Sequence, residues 1–157
     1  MKSRTKARGI ALQVLYEVDL TNHVPLLALE RRLEEDHFTD EGLADFARSI
    51  VLGVAPIFEI LDNFIAQHAP EWPLDQVAII DRNIIRISLW EFAVAECSPI
   101  KVAINEAIEL AKIYGSDSTP RFVNGVLGSL ASRQNEIKQS INNLKSASKD
   151  FIETTYV

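Results

Sequence analysis

DQVAIIDRNIIRISLWEFAVAE, residues 75 to 96, carries apolar side chains almost all the way round a helix. Ile80, Ile84, Ile87, Leu89, Trp90 and Val94 leave only a narrow strip for Asp81, Arg82, Arg86 and Glu91. A helix of this kind is covered on several sides by other helices. The expectation for the whole chain is an all-α fold with this segment at its centre and those four charged residues on its exposed strip.

The flanking segments fit that frame. Ala7, Ile10, Ala11, Val14, Leu15 and Val18 form a stripe at helical spacing near the start. Asn22, His23 and Pro25 break it, and a second helix carries Leu26, Leu29 and Leu33. Thr39 is a candidate cap for the next helix. From Asp40 to His68 apolar residues recur in three- and four-residue steps, with Pro56 inside to bend or split the helix. Beyond Ser98-Pro99, a helix over Val102 to Ile113 stops at Gly115. Ser118 or Thr119 can cap the following helix, with Pro120 at its first position. No strand pattern of useful length, repeat or interdomain linker interrupts the series.

With 157 residues, 47% of them apolar, the chain suits one domain with a real core. Cys97 is the only cysteine, which excludes an internal disulfide and points to a reducing, cytoplasmic compartment. It reads as a small buried or half-buried side chain. No apolar run reaches about 18 residues, so no membrane span is expected. His23, His37 and His68 lie far apart, in or near predicted breaks, and read as solvated loop residues without metal-ligand spacing. With no phosphate loop and no nucleophile motif, neither an enzyme nor a cofactor is expected.

The net charge of -6 argues against a nucleic-acid partner until its distribution is examined. Lys2, Arg4, Lys6 and Arg8 precede the first acid, Glu17, which leaves 12 basic residues against 22 acidic ones elsewhere. A basic arm on an acidic body is either a local anion site or a solubilising terminus. A second cluster lies at the turn after Ile113. Lys112 ends one helix, and Arg121, Phe122 and Asn124 open the next. Cations, free helix-start amides, a ring and an amide are the parts that hold single-stranded RNA. They are equally the parts of an ordinary helix end with a core phenylalanine.

PIKVAINEAIELAKIYGSDSTPRFVNGVLGSL, residues 99 to 130, closely resembles the C-terminal signature of the bacterial NusB family. KARGIALQVLYEVDL is similar to that family's opening helix, and DRNIIRISLWEF to its central helix. The resemblance implies a compact two-subdomain bundle of about seven helices. It implies an RNA-binding domain over residues 1-135; the polar segment 136-157 lies outside the resemblance and, with only Ile137, Ile141 and Leu144 as a thin stripe, reads as a protruding or frayed helical extension. The implied function is transcription antitermination: binding of single-stranded boxA-type ribosomal RNA with the ribosomal protein NusE, within an RNA polymerase antitermination complex. It places Arg4, Lys6, Arg8, Lys112, Arg121, Phe122 and Asn124 on the RNA. Tyr16, Asp81 and Glu91 it places on NusE. Competing readings are an accessory domain for ribosomal RNA methylation and an interaction scaffold without RNA. A homodimer through an exposed apolar strip is also allowed.

Overall fold

The computed structural model describes residues 2 to 156, with side chains through residue 147. Among the described residues there are eight α-helices and no strand. They are α1 Ser3–Leu20, α2 Pro25–Glu35, α3 Glu41–Val54, α4 Phe58–His68, α5 Ile79–Leu89, α6 Ile100–Tyr114, α7 Thr119–Ala131 and α8 Gln134–Tyr156.

Local chemistry sets the boundaries. Pro25 opens α2, where its missing N–H is harmless. Asp40, not Thr39, caps α3: its Oδ1 accepts the Leu43 N–H at 3.1 Å. Pro56 sits in a 3₁₀ turn, Ala55–Ile57, which divides the long apolar segment into α3 and α4. By length and composition Glu41–His68 could cross a membrane. Its apolar side, however, supplies Ala47, Ile50, Val54, Leu61 and Ile65 to the core. The charged side chains Arg48 and Asp62 lie on the same segment and are ion-paired.

α1 packs on α2 and α3, α5 packs on α6 and α7, and α1 joins the two groups by crossing α5 and α6. Gly9 permits the close approach of α1 to α6, because a side-chain carbon there would collide with the Tyr114 hydroxyl. Each fully buried Leu or Ile of this core contributes about 1.5–3 kcal/mol.

The centre is α5, but it has no exposed charged strip. Every residue from Asn83 to Leu89 is buried, Arg86 among them, and Glu91 follows in a buried π-turn, Trp90–Val94. Burial of charge is tolerable only with close partners. Arg86 donates from Nε and Nη2 to Asp62 at 2.7 and 2.6 Å, and from Nη1 to Asp19 at 2.8 Å. Three other expectations are also corrected. Cys97 is exposed. His68 is buried, in the last turn of α4 rather than in a solvated loop. The polar extension is not detached at its start, since Ile137 and Ile141 sit in the core.

Candidate nucleic-acid interface

The first turn of α1 contains no acidic residue, and Lys2, its N-cap, makes no side-chain capping bond. Three exposed cations, Lys2, Arg4 and Lys6, crowd this end. Positive side chains beside the positive end of a helix dipole are unfavourable by themselves. No carboxylate pairs with any of the three among the described residues. Arg4 and Lys6 lean over rings instead: the Arg4 guanidinium lies 4.5 Å from the Phe46 centroid, and the Lys6 ammonium 5.6 Å from that of Phe38. Such cation–π contacts orient a charge without neutralising it.

Lys2 turns the other way, into a groove of about 710 Å³ between α1 and α6. Thr5, Asn105, Glu106, Glu109 and Lys112 line it as well. Lys112 pairs with Glu109 at 3.2 Å, and both are more than half exposed. A pair so well hydrated is worth little and can be exchanged for a phosphate.

Arg8 does not join this group. It is 2% exposed, and its guanidinium grips Glu91, itself 1% exposed. Nε and Nη2 donate at 3.0 and 2.7 Å, and Ser98 Oγ donates to the same carboxylate at 3.0 Å. Thus Arg8 is corrected from an RNA contact, and Glu91 from a partner contact, to a single buried ion pair that ties α1 to the end of α5. Neither is available to a ligand at the surface.

The second cluster builds a separate cleft of about 610 Å³ at the start of α7. Arg121 and Phe122 line it with Trp72, Asp81 and Gly125. The Phe122 ring is half-buried, not interior, and meets Trp72 edge-on with centroids 6.4 Å apart. Asn124 is exposed on α7 and lies outside this lining. The turn itself is rigidly knit. Thr119 Oγ1 accepts the Ser116 N–H at 2.9 Å and donates to Asp81 at 3.0 Å. Burial pushes the Asp81 carboxyl above its ordinary range, an effect the Thr119 hydroxyl partly offsets.

The arm and the turn therefore meet only partly. Lys2 and Lys112 share one groove; Arg121 and Phe122 share another, and the two have no lining residue in common. Tyr16 lies elsewhere again, 39% exposed, in a depression with Leu20, Arg32 and Ile80. Asp81 follows Ile80 directly but lines the Phe122 cleft. Trp72 is a site residue that no sequence motif marks: it reaches the cleft from the loop between α4 and α5, and only the packing of that loop against α7 brings it to Phe122.

The sequence profile of the NusB family matches residues 5–132. The chain belongs to the NusB family. It is 47% identical over 135 residues to the transcription antitermination protein NusB of Roseiflexus sp. (strain RS-1), covering 85% of this chain and 94% of that one. To the NusB of Bacillus pumilus (strain SAFR-032) it is 42% identical over 139 residues, covering 88% and 99%. Its fold matches NusB in a crystal structure of antitermination factors NusB and NusE in complex with dsRNA. There the TM-score is 0.75 at 25% identity, over 83% of this chain and 96% of that one. T. maritima NusB superposes with a TM-score of 0.73 at 29% identity, over 82% and 90%. The all-helical architecture expected from the sequence is that of the NusB family, whose named members are antitermination proteins rather than enzymes.

Proposed function

We propose that this NusB-family chain binds boxA-type nascent ribosomal RNA together with NusE and so helps RNA polymerase pass terminators, in the cytoplasm. The observation that carries the RNA reading is the start of α1. There three exposed cations, none with a carboxylate partner among the described residues, stand at an uncapped helix end that a bound anion would stabilise. Phosphates lie along Lys2, Arg4, Lys6 and Lys112. Arg121 binds a further phosphate, and one unpaired base enters the Phe122–Trp72 cleft. Asn124, exposed one turn on, faces the same strand. With three to five phosphates neutralised, the slope of log affinity against log salt is about -2 to -3.5 for a single strand.

NusE is assigned to the α1–α2 corner, where Tyr16, Leu20, Val24 and Leu27 are exposed. A second copy of this chain would compete for that surface. Asp81 stands between the two surfaces, next to Ile80 on one side and Arg121 on the other. Joining two modest contacts on one RNA raises the apparent affinity without a new contact. The related NusB–NusE complex holds dsRNA, so the strand state is part of the test. Single-stranded boxA, its duplex and a scrambled strand are titrated at several salt concentrations, with and without NusE. Preference for single-stranded boxA, steepest with NusE, is expected. Salt-independent binding, or no gain from NusE, overturns the reading.

A further inference from the structure

The first turn of α1 should fray. It lacks a cap and an acid, and its cations oppose the helix dipole. It is nevertheless helical from Ser3 onward. Two contacts from a neighbouring helix hold it. Thr5 Oγ1 donates to Glu106 Oε2 at 2.8 Å, and Arg8 Nη1 lies 3.4 Å from the same oxygen. Thr5 is 5% exposed, whereas the Glu106 side chain is 17% exposed and opens on the groove that holds Lys2 and Lys112. Glu91 cannot do this work, since it engages Arg8 one turn deeper and makes no bond to Thr5.

We propose that Glu106 is a positioning residue for RNA: through Thr5 and Arg8 it keeps the first turn of α1 helical and so presents Lys2, Arg4 and Lys6 as an ordered set. The inference rests on the RNA reading above. It is counter-intuitive in sign, because Glu106 is an anion on the floor of a groove assigned to phosphates. Coulomb repulsion alone makes its removal favourable to RNA by roughly twofold, for unit charges about 8 Å apart in water. Loss of the ordered turn acts in the opposite direction, and three disordered cations flatten the single-strand salt slope by about 2 at most.

The opposed signs make the test. RNA affinity, its salt slope, NusE affinity and the hydrogen exchange of the amides of residues 5 to 9 are measured for wild type, Glu106→Ala, Glu106→Gln and Thr5→Val. The alanine variant is expected to bind RNA about fivefold more weakly, with a flatter slope, faster exchange in the first turns and unchanged NusE affinity. Glutamine, which keeps the acceptor but not the charge, restores the slope and binds RNA as tightly as wild type or up to about twofold more tightly. Thr5→Val, which keeps Glu106 and removes one bond, weakens RNA binding two- to threefold. If Glu106→Ala binds RNA as tightly as wild type or more tightly, the inference fails while the RNA reading stands. If wild type itself does not bind, the RNA reading fails first. Should Glu106→Ala unfold, Thr5→Val decides, and unaltered RNA binding by that variant overturns the inference.

Discussion

Replacement of Glu91 by alanine isolates the buried pair that the sequence presents as two surface contacts. In the folded chain Glu91 accepts from Arg8 Nε at 3.0 Å, Arg8 Nη2 at 2.7 Å and Ser98 Oγ at 3.0 Å. The alanine leaves a guanidinium that is 2% exposed with one carboxylate nearby, Glu106 at 3.4 Å. Breaking a buried pair costs about 3–5 kcal/mol, and the remaining partner argues for the lower end. At a urea m-value of about 2 kcal/mol/M, a loss of about 3 kcal/mol lowers the midpoint by roughly 1.5 M with m unchanged. Urea unfolding followed by tryptophan fluorescence measures this. The double variant Arg8→Met/Glu91→Leu should recover most of the loss, since apolar replacement of a whole buried pair is often neutral or stabilising. Folded Arg8→Met/Glu91→Leu, which loses the Arg8–Glu106 contact but keeps the Thr5–Glu106 bond, should bind RNA no more than about two- to threefold more weakly than wild type. Full stability in Glu91→Ala, or a large loss of RNA affinity in the stable double variant, refutes the buried-pair account.

Three further outcomes follow from particular contacts. Gly53→Ala, in the last turn of α3, would by helix propensity alone be stabilising, by up to about 1 kcal/mol. Here the added carbon collides with the Trp90 ring, so thermal unfolding should show a loss of about 1–3 kcal/mol with altered tryptophan emission. At Asp19 burial alone raises the carboxyl, but Arg86 and Arg82 outweigh it and hold the group below its ordinary value. Its stabilisation is therefore fully present above about pH 4 and is lost as pH falls through the lowered folded value; the stability gap between wild type and Asp19→Asn should close on acidification. Asp81 has the opposite sign. Its carboxyl is raised by burial, so Asp81→Asn, which can still accept from Thr119, should match or exceed wild-type stability at pH 7, with that advantage fading toward acid.

The helical architecture was legible because it rests on local periodicity. The apolar side chains spread around most of the helix over residues 79–89 identify the centre, and Pro25, Pro56 and Gly115 mark breaks that depend on backbone chemistry alone. Pairing across the chain was not legible. Arg8 and Glu91 lie 83 positions apart, and a charge near a basic terminus gives no sign that its partner waits inside another helix. The same holds for Arg86, whose partners Asp19 and Asp62 come from two other helices. At the candidate site, Lys112, Arg121 and Phe122 were marked by their place beside helix ends. Their division between two clefts depends on how α1, α6 and α7 pack, which no spacing encodes. Ile137 and Ile141 form too thin a stripe to show that the start of α8 docks on the body.

The central claim is that the α1–α6 groove carries transcript phosphates, and Lys112 tests it most directly because it is exposed and its substitution breaks only one weak surface pair. Binding of single-stranded boxA RNA in the presence of NusE is measured across a salt series for wild type and Lys112→Glu, with folding and NusE affinity as controls. The account predicts at least tenfold weaker binding and a salt slope shallower by about 0.7 or more, as for the loss of one phosphate contact. Equal affinity and equal slope in a folded, NusE-competent variant would contradict it.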